Sequence, residues 1–529
     1  MENNEVKTKK VNKKLLRLII GVSLVVVSLA TGVLSGIKIA KVTSIADNSK
    51  DENIQYIEEI IQILKDNWMS EIYYGTNNVN EDLLIRQFVG ALSSSEEKRL
   101  DGYTYLIKNE PPVYVTATGK LGITLTNFYN IPVITEVSKE GSGYNILKPG
   151  DIVVRLGKQN KSGKYEYVNI TEDNINFSNM FELGLGAPNS TQYIKVARFD
   201  ENKQLNYHEF EIVLGGPTPS YYSELIDEDI DDTIMVKVSG FTADEDNKNG
   251  TVEQLERILK NDDSSNLILD FRGNPGGSVS SAINLCDLFL PKDKVITTLQ
   301  YKGGRKVNYV TSDNKVYDYE NIIILQDQDT ASASEITIAA LMHHLGDKVT
   351  LVGTKSYGKG IATKKVQVFG GQYTLQYTLA KWLTPDGSWI GMDTGNGNDV
   401  AISPLEENII SHSDTYAIAD YCAYYMRYYG LNFYKDSASQ EAFIVDKVAV
   451  ENQLFFEVYN SMFNTSYRTD SYFDASCSQA LKDYQTLRNI DVTGEMDLDT
   501  LVCFTYDYYD LDKQYHDSFV NKAVDIIEG

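Results

Sequence analysis

The stretch NIIILQDQDTASASEITIAALMHHL, Asn321 to Leu345, changes character partway along. It opens with a short continuous apolar run rich in β-branched residues, the pattern of a strand buried on both faces. From Ser332 onward it reads as a helix, and the loop between sets Ser332 and Ser334 at the helix start. The same grammar recurs on either side. TIMVKVSGF (Thr233–Phe241) precedes the helical GTVEQLERILK, NLILDF (Asn266–Phe271) precedes SSAINLCDLFL, and VTLVG (Val349–Gly353) follows. Strand–helix alternation of this kind predicts an α/β layer with parallel strands over 216–410.

Three loops in this region each follow a strand: RGNPGG (Arg272–Gly277), DTAS (Asp329–Ser332) and TKSYGKG (Thr354–Gly360). In a parallel sheet the carboxyl ends of the strands share one edge, so the loops converge there. The first supplies glycines, whose backbone approaches a ligand closely. The second sets hydroxyls at a helix N-terminus, where unpaired amides face outward. The third supplies Lys359 between two glycines. A hydroxyl, a base and backbone donors are the parts of an acyl-transfer site. Lysine acts as base only where burial lowers its pKa. Singly, each loop reads better as tight packing beside a solvated lysine; their joint placement favours chemistry.

In this order, LILDFRGNPGG, TASASEI and VGTKSYGKG closely resemble the carboxyl-terminal processing (tail-specific) serine peptidases. The resemblance implies a Ser–Lys mechanism with no metal and no cofactor. Ser332 is then the nucleophile and Lys359 the general base, with the amides of Ala333 and Gly277, rather than Gly276, as the oxyanion hole. Two departures stand out. Lys359 lies two positions further from the serine than is usual, so counting back from it selects Ser334. The Ser-Ala-Ser-Glu text anchors the register on Ser332 and assigns the extra residues to ALMHHLGDKVTLVG. The family's lysine-orienting glutamine is replaced by Thr363, whose hydroxyl would serve in its place. His343 and His344 lie about three helical turns beyond Ser332, too far to partner it.

The chain around this core is modular, and the expected fold class is α+β multidomain. Residues 1–17 carry a net charge of +4 and precede Leu18–Ile37, twenty residues without a charge. Such a run spans about 30 Å, a bilayer core. The segment 18–40 therefore reads as an uncleaved single-pass transmembrane anchor in the cell membrane. The basic tip stays cytoplasmic and the rest is extracytoplasmic. Residues 41–110 read as a helical region, from ENIQYIEEIIQILKDNW and EDLLIRQFVGAL.

Residues 111–215 break into short β-like runs and resemble a PDZ domain. There the amides of Leu121, Gly122 and Ile123 would hold a peptide's terminal carboxylate, and the peptide would add as a strand at a sheet edge. A tyrosine-rich connector (411–439) leads to a small helical domain over 440–529. Within it Phe473, Asp474, Ala480, Tyr484, Gln485, Gly494, Asp497 and Thr500 fall on the pattern of a peptidoglycan-binding module; these positions also suit a plain core.

The formal net charge of −25 argues against nucleic acid as a partner. Cys286, Cys422, Cys477 and Cys503 form no CxxC pair, and the five histidines form no HExxH, which excludes the common zinc sites. The expectation is a membrane-anchored serine endopeptidase acting on proteins or peptides with apolar C-terminal tails. Peptidoglycan is a further expected partner, and the resemblance includes homo-oligomers built through the terminal regions. The rival is a non-catalytic PDZ and wall-binding scaffold on a degenerate protease fold.

Overall fold

A computed structural model describes residues 52–69, 103–108, 118–119, 121–128, 131–139, 141–159, 164–169, 189–215, 217–218, 226–242, 250–312, 316–368, 373–391, 401–419, 456–466, 475–495 and 497–529. The expected anchor (18–40), the stretch EDLLIRQFVGAL, and Phe473 and Asp474 lie outside them. Among the described residues no helix is long and apolar enough to cross a membrane. The chain divides into two units. One holds residues 113–296, 310–358 and 401–529; the other holds 1–112, 297–309 and 359–400. The expected core, 216–410, contributes to both.

The first unit contains a five-stranded sheet of β1 (Ile226–Ile230), β2 (Thr233–Lys237), β3 (Asn266–Asp270), β4 (Asn321–Gln326) and β5 (Val349–Gly353), in that spatial order. β1 runs antiparallel to β2, and β2 to β5 are parallel, as the strand–helix alternation predicts. Every residue of β3 is buried, which is why its sequence shows no polar alternation. The crossovers carry α1 (Thr251–Leu259), α2 (Val279–Asp287) and α3 (Ala333–Leu345). Helix α3 is apolar on nearly all sides because it is buried from Ala333 through Ile338.

The same unit holds a six-stranded antiparallel sheet. Its order is Ile123–Phe128, Ile131–Val137, Ile152–Gln159, Thr191–Phe199, Leu205–Val213, with Tyr165–Asn169 also on Ile152–Gln159. Ile123–Phe128 is an edge strand.

The expected helical domain over 440–529 ends in a single long helix. Leu498–Glu528 form one helix, α4, of 31 residues, about 46 Å long. No glycine or proline interrupts it, and Asp497 caps its start by accepting from Thr500 N–H at 2.9 Å. Its first half shares a core with the six-stranded sheet, where Phe504, Tyr508 and Tyr509 join Ile131, Val133 and Val153. Its second half sets Phe519 and Ala523 against Ile268, Ile323, Leu325 and Val352 of the parallel sheet. Helix α4 is therefore part of two cores. Cys503 is a buried free thiol.

In the second unit, Tyr373–Leu383 pairs with Tyr105–Lys108, with Ile361–Val368 and with Thr298–Tyr301, all antiparallel. The helix Glu52–Asn67 and the residue after it lay Ile60, Leu64 and Trp68 on Val368, Leu375 and Tyr377, as its apolar spacing predicts.

Candidate active site

The loop after β3 is built by its own backbone. Asn274 is fully buried; its Nδ2 donates to Val238 C=O (2.6 Å) and its Oδ1 accepts from Gly276 N–H (2.9 Å). Phe241 then brackets Gly277: its N–H donates to Gly276 C=O and its C=O accepts from Ser278 N–H, each at 2.9 Å. The amides on both sides of Gly277 are thus committed. Among the described residues nothing accepts the Gly277 N–H. Gly277 has φ +142°, and a Cβ there would lie 2.2 Å from Phe241 O, so only glycine fits.

Ser332 stands at φ 59°, ψ −111°, a conformation that costs a non-glycine residue about 1–3 kcal/mol. It immediately precedes α3 and is 9% exposed. Two neighbours stabilise the strained turn. The Ser332 N–H donates to Glu335 Oε2 at 2.7 Å. Gly276, at φ +97°, faces the turn: a Cβ there would lie 2.8 Å from both Ser332 Cβ and Ala333 N. The glycine loop and the serine turn therefore meet. Ala333 opens α3, so its N–H has no carbonyl four residues back within the helix, and the helix dipole adds positive character there.

Ser334 has a different role. It is fully buried and its Oγ donates to Asn274 C=O at 3.1 Å, tying α3 to the glycine loop. Glu335, also fully buried, accepts through Oε1 from Ser356 Oγ and from Gly358 N–H, both at 2.7 Å. One carboxylate thus holds the serine turn and the TKSYGK loop together. Ser356 Oγ in turn accepts from Ile402 N–H at 3.0 Å.

Arg272 anchors the base of the glycine loop. Its Nε and Nη2 donate to the two oxygens of Asp270 at 2.8 and 2.7 Å. Burial pushes the Asp270 carboxyl upward, but the Arg272 charge and hydrogen bonds outweigh it and hold the group below its ordinary range. Burial likewise disfavours the Arg272 cation, and Asp270 reverses that effect.

Lys359 directly follows Gly358 in the chain and belongs to the second unit, as does Thr363. Lys359 C=O accepts from Trp382 Nε1 at 2.7 Å, and its Nζ lies 5.1 Å from the centre of the Tyr103 ring. Gly360 is packed so closely that a Cβ would fall 1.1 Å from Ile390 O. Thr363 pairs with Thr378 at a register shift between Ala362 and Thr363. His343 and His344 sit in the last turn of α3, where His344 Nε2 contacts Val295 C=O at 2.7 Å.

Residues 232–402 match Peptidase family S41. Over 175 residues the chain is 37% identical to "Carboxy-terminal processing protease CtpA" of Bacillus subtilis (strain 168), covering 33% of this chain and 35% of that protein. It is 27% identical over 299 residues to "Probable CtpA-like serine protease" of Staphylococcus aureus (strain N315), covering 55% and 54%. The chain spans about a third to half of the length of these curated relatives. Among solved structures, a "photosystem II D1 C-terminal processing protease" aligns at 15% identity and TM-score 0.36, covering 69% of this chain and 95% of that one. A "putative S41 protease" from Bacteroides fragilis NCTC 9343 aligns at 14% identity and TM-score 0.43, covering 68% and 91%.

The S41 segment contains every residue of the serine turn and the glycine loop. The residues that hold them, Asn274, Glu335 and Ser356, escaped the sequence reading. Only Glu335 left a local signal, since Ser332-x-x-Glu335 has the spacing of a capping box. Outside the segment, the carbonyls of Leu121 and Gly122 accept from Gly143 and Ser138 N–H, each at 2.8 Å, and Ile123 opens the edge strand opposite Val137. In the C-terminal helices, Gln485 Nε2 donates to Thr493 Oγ1, Glu495 C=O and Thr500 Oγ1 at 2.9, 2.9 and 2.8 Å, and its Oε1 accepts from Gly494 N–H at 2.8 Å. Ala480 and Tyr484 are core. Four of the eight positions that suggested peptidoglycan binding, Gln485, Gly494, Asp497 and Thr500, are thus engaged in holding the turn between two helices.

Proposed function

We propose that the chain is a membrane-anchored serine endopeptidase with its catalytic part outside the membrane. The observation that carries this reading is the strained Ser332, set against Gly276 of the glycine loop at the start of a buried helix. Ser332 Oγ attacks the peptide carbonyl, Lys359 takes its proton, and the amides of Gly277 and Ala333 hold the oxyanion. The lysine then returns the proton to the leaving amine, and water releases the acyl group by the same route. Helix α3 favours the developing negative charge at its N-terminus. The commitment of Ser334 to Asn274 supports Ser332 as the attacking hydroxyl, and Lys359 as its base rests on the sequence motif.

The six-stranded sheet, whose edge among the described residues is Ile123–Phe128, and the pinned Leu121–Gly122 turn support capture of a substrate's carboxyl tail as an added strand. Membrane anchoring through 18–40, assembly through the terminal regions and cell-wall binding rest on the sequence alone. Fractionation of cells and sedimentation with insoluble peptidoglycan test the first and last.

The activity itself is tested by incubating the detergent-solubilised full chain, and its Ser332→Ala variant, with an unfolded protein ending in an apolar tail. Mass spectrometry maps the products. Cleavage by the parent and none by the variant is expected. No cleavage by either, with tail binding intact, would sink the enzyme reading in favour of the scaffold, which the threonine at 363 favours.

A further inference from the structure

Helix α4 reaches the catalytic loops from the far end of the chain. The His516 carbonyl accepts from Arg272 Nη1 at 2.5 Å, and the guanidinium carbon lies 5.0 Å from the centre of the Phe519 ring. Phe519, fully buried, also fills the space beside Gly353: a Cβ at that glycine would lie 2.7 Å from Phe519 Cε1. Arg272 is the first residue of the glycine loop. Gly353 ends β5 and directly precedes TKSYGKG. A single ring thus touches the roots of both loops.

We propose that the His516–Phe519 segment is a positioning brace for these loops, fixing the aim of the Gly277 amide and the path of the chain into Lys359. The catalytic consequence rests on the peptidase reading; the structural one does not. The guanidinium shows why the contact is more than filler. Its Nε and Nη2 face Asp270, so Nη1 and the flat face depend on α4. Without His516 and the Phe519 ring, the buried cation keeps Asp270 alone as a hydrogen-bonded acceptor among the described residues, with the charges of Asp327 and Asp517 nearby, and the loop root gains freedom to turn toward water. Gly353 is matched to the ring, since its φ of +129° and the 2.0 Å approach of a Cβ to Gln326 O admit no side chain. Neither His516 nor Phe519 touches a reacting atom, and their effect passes through Arg272 and Gly353.

The test uses the full chain with Phe519→Leu and Phe519→Ala, and Ile526→Ala as control. Ile526 packs on the same sheet core seven residues further along the helix. Hydrogen exchange is followed at the amides of 273–278 and 354–358, alongside kcat and KM for an unfolded substrate with an apolar tail. Phe519→Leu should speed exchange in both loops and lower kcat by about 10-fold or more, with KM within about 2-fold, since a misplacement near 1 Å costs up to about 10²-fold. Ile526→Ala should lower the Tm and do neither. If both Phe519 variants exchange at wild-type rates in the loops, or lose activity only in step with their unfolded fraction, the brace is refuted. If the loops loosen while the wild type cleaves nothing, the brace stands and the peptidase reading falls.

Discussion

Replacing Glu335 with glutamine probes how the serine turn is held. The carboxylate accepts from Ser332 N–H, Ser356 Oγ–H and Gly358 N–H, each at 2.7 Å. Glutamine has the same shape but one accepting oxygen. If that oxygen faces Ser356 and Gly358, the new NH2 meets the Ser332 N–H. If the amide flips, the NH2 meets the Gly358 N–H instead, and Ser356 Oγ, which already accepts from Ile402, must turn to accept again. In both orientations one buried backbone donor loses its partner, and the surviving bonds lose their charge assistance. A hydrogen bond to a charged group contributes about 1.5–3 kcal/mol, and a stranded buried donor costs about 1–3 kcal/mol. These describe one loss from two sides, so ~3 kcal/mol is the expected destabilisation rather than their sum. If the strained Ser332 backbone relaxes by about 1 Å, cleavage falls about 10²-fold. Urea unfolding followed by fluorescence reads the first quantity, and steady-state cleavage the second. A Glu335→Gln chain that unfolds at the wild-type urea concentration and cleaves within about 3-fold of wild type would refute the claim that this carboxylate holds the turn.

Three further outcomes follow from the same contacts. Ser334→Ala should retain cleavage while losing about 1 kcal/mol in urea unfolding, because its hydroxyl donates to Asn274 C=O; inactivity there beside an active Ser332→Ala would move the nucleophile to Ser334. The Asp270 carboxyl titrates lower in the folded chain than in the unfolded one, so its contribution is full above the ordinary carboxylate pKa near 4 and fades as pH falls through the folded value. The stability gap between wild type and Asp270→Asn should therefore stay constant down to about pH 4 and narrow below it; narrowing between about pH 5 and 7 would assign the effect to another group. Gln485→Leu should cost about 2–4 kcal/mol in thermal unfolding, since four hydrogen bonds, two of them buried, lose a partner; an unchanged Tm would release Gln485 from its structural role and revive it as a ligand contact.

What sequence could disclose divides along physical lines. Strands β3 to β5 bury both faces, so each is a continuous apolar run, and the loops at their carboxyl ends follow from parallel topology alone. Helix α4 was harder to read because Asp507 lies in the middle of its apolar stripe and looks like a solvated position. In the structure Asp507 is buried, 4% exposed, and paired with Arg488 and the Tyr484 hydroxyl. A pairing made 19 and 23 residues apart carries no local periodicity. The same holds at the serine turn. Glu335 sits one helical turn from Ser332, yet its other bonds reach 21 and 23 residues forward to Ser356 and Gly358.

The backbone of Ser332 is the sharpest case. A serine before an apolar helix reads as an ordinary N-cap, with extended φ and a hydroxyl turned back onto the helix. The actual φ of 59° is a conformation few residues other than glycine adopt. It persists because Glu335 grips the serine's N–H on one side and Gly276 leaves room on the other. The two loops are therefore matched: the glycine is needed because the serine is strained, and the strain lets Ser332 meet the glycine loop. That reciprocity makes Gly276→Ala a more damaging change than its single methyl suggests, because the Cβ would push on Ala331 O at 2.6 Å and on Ser332 Cβ together.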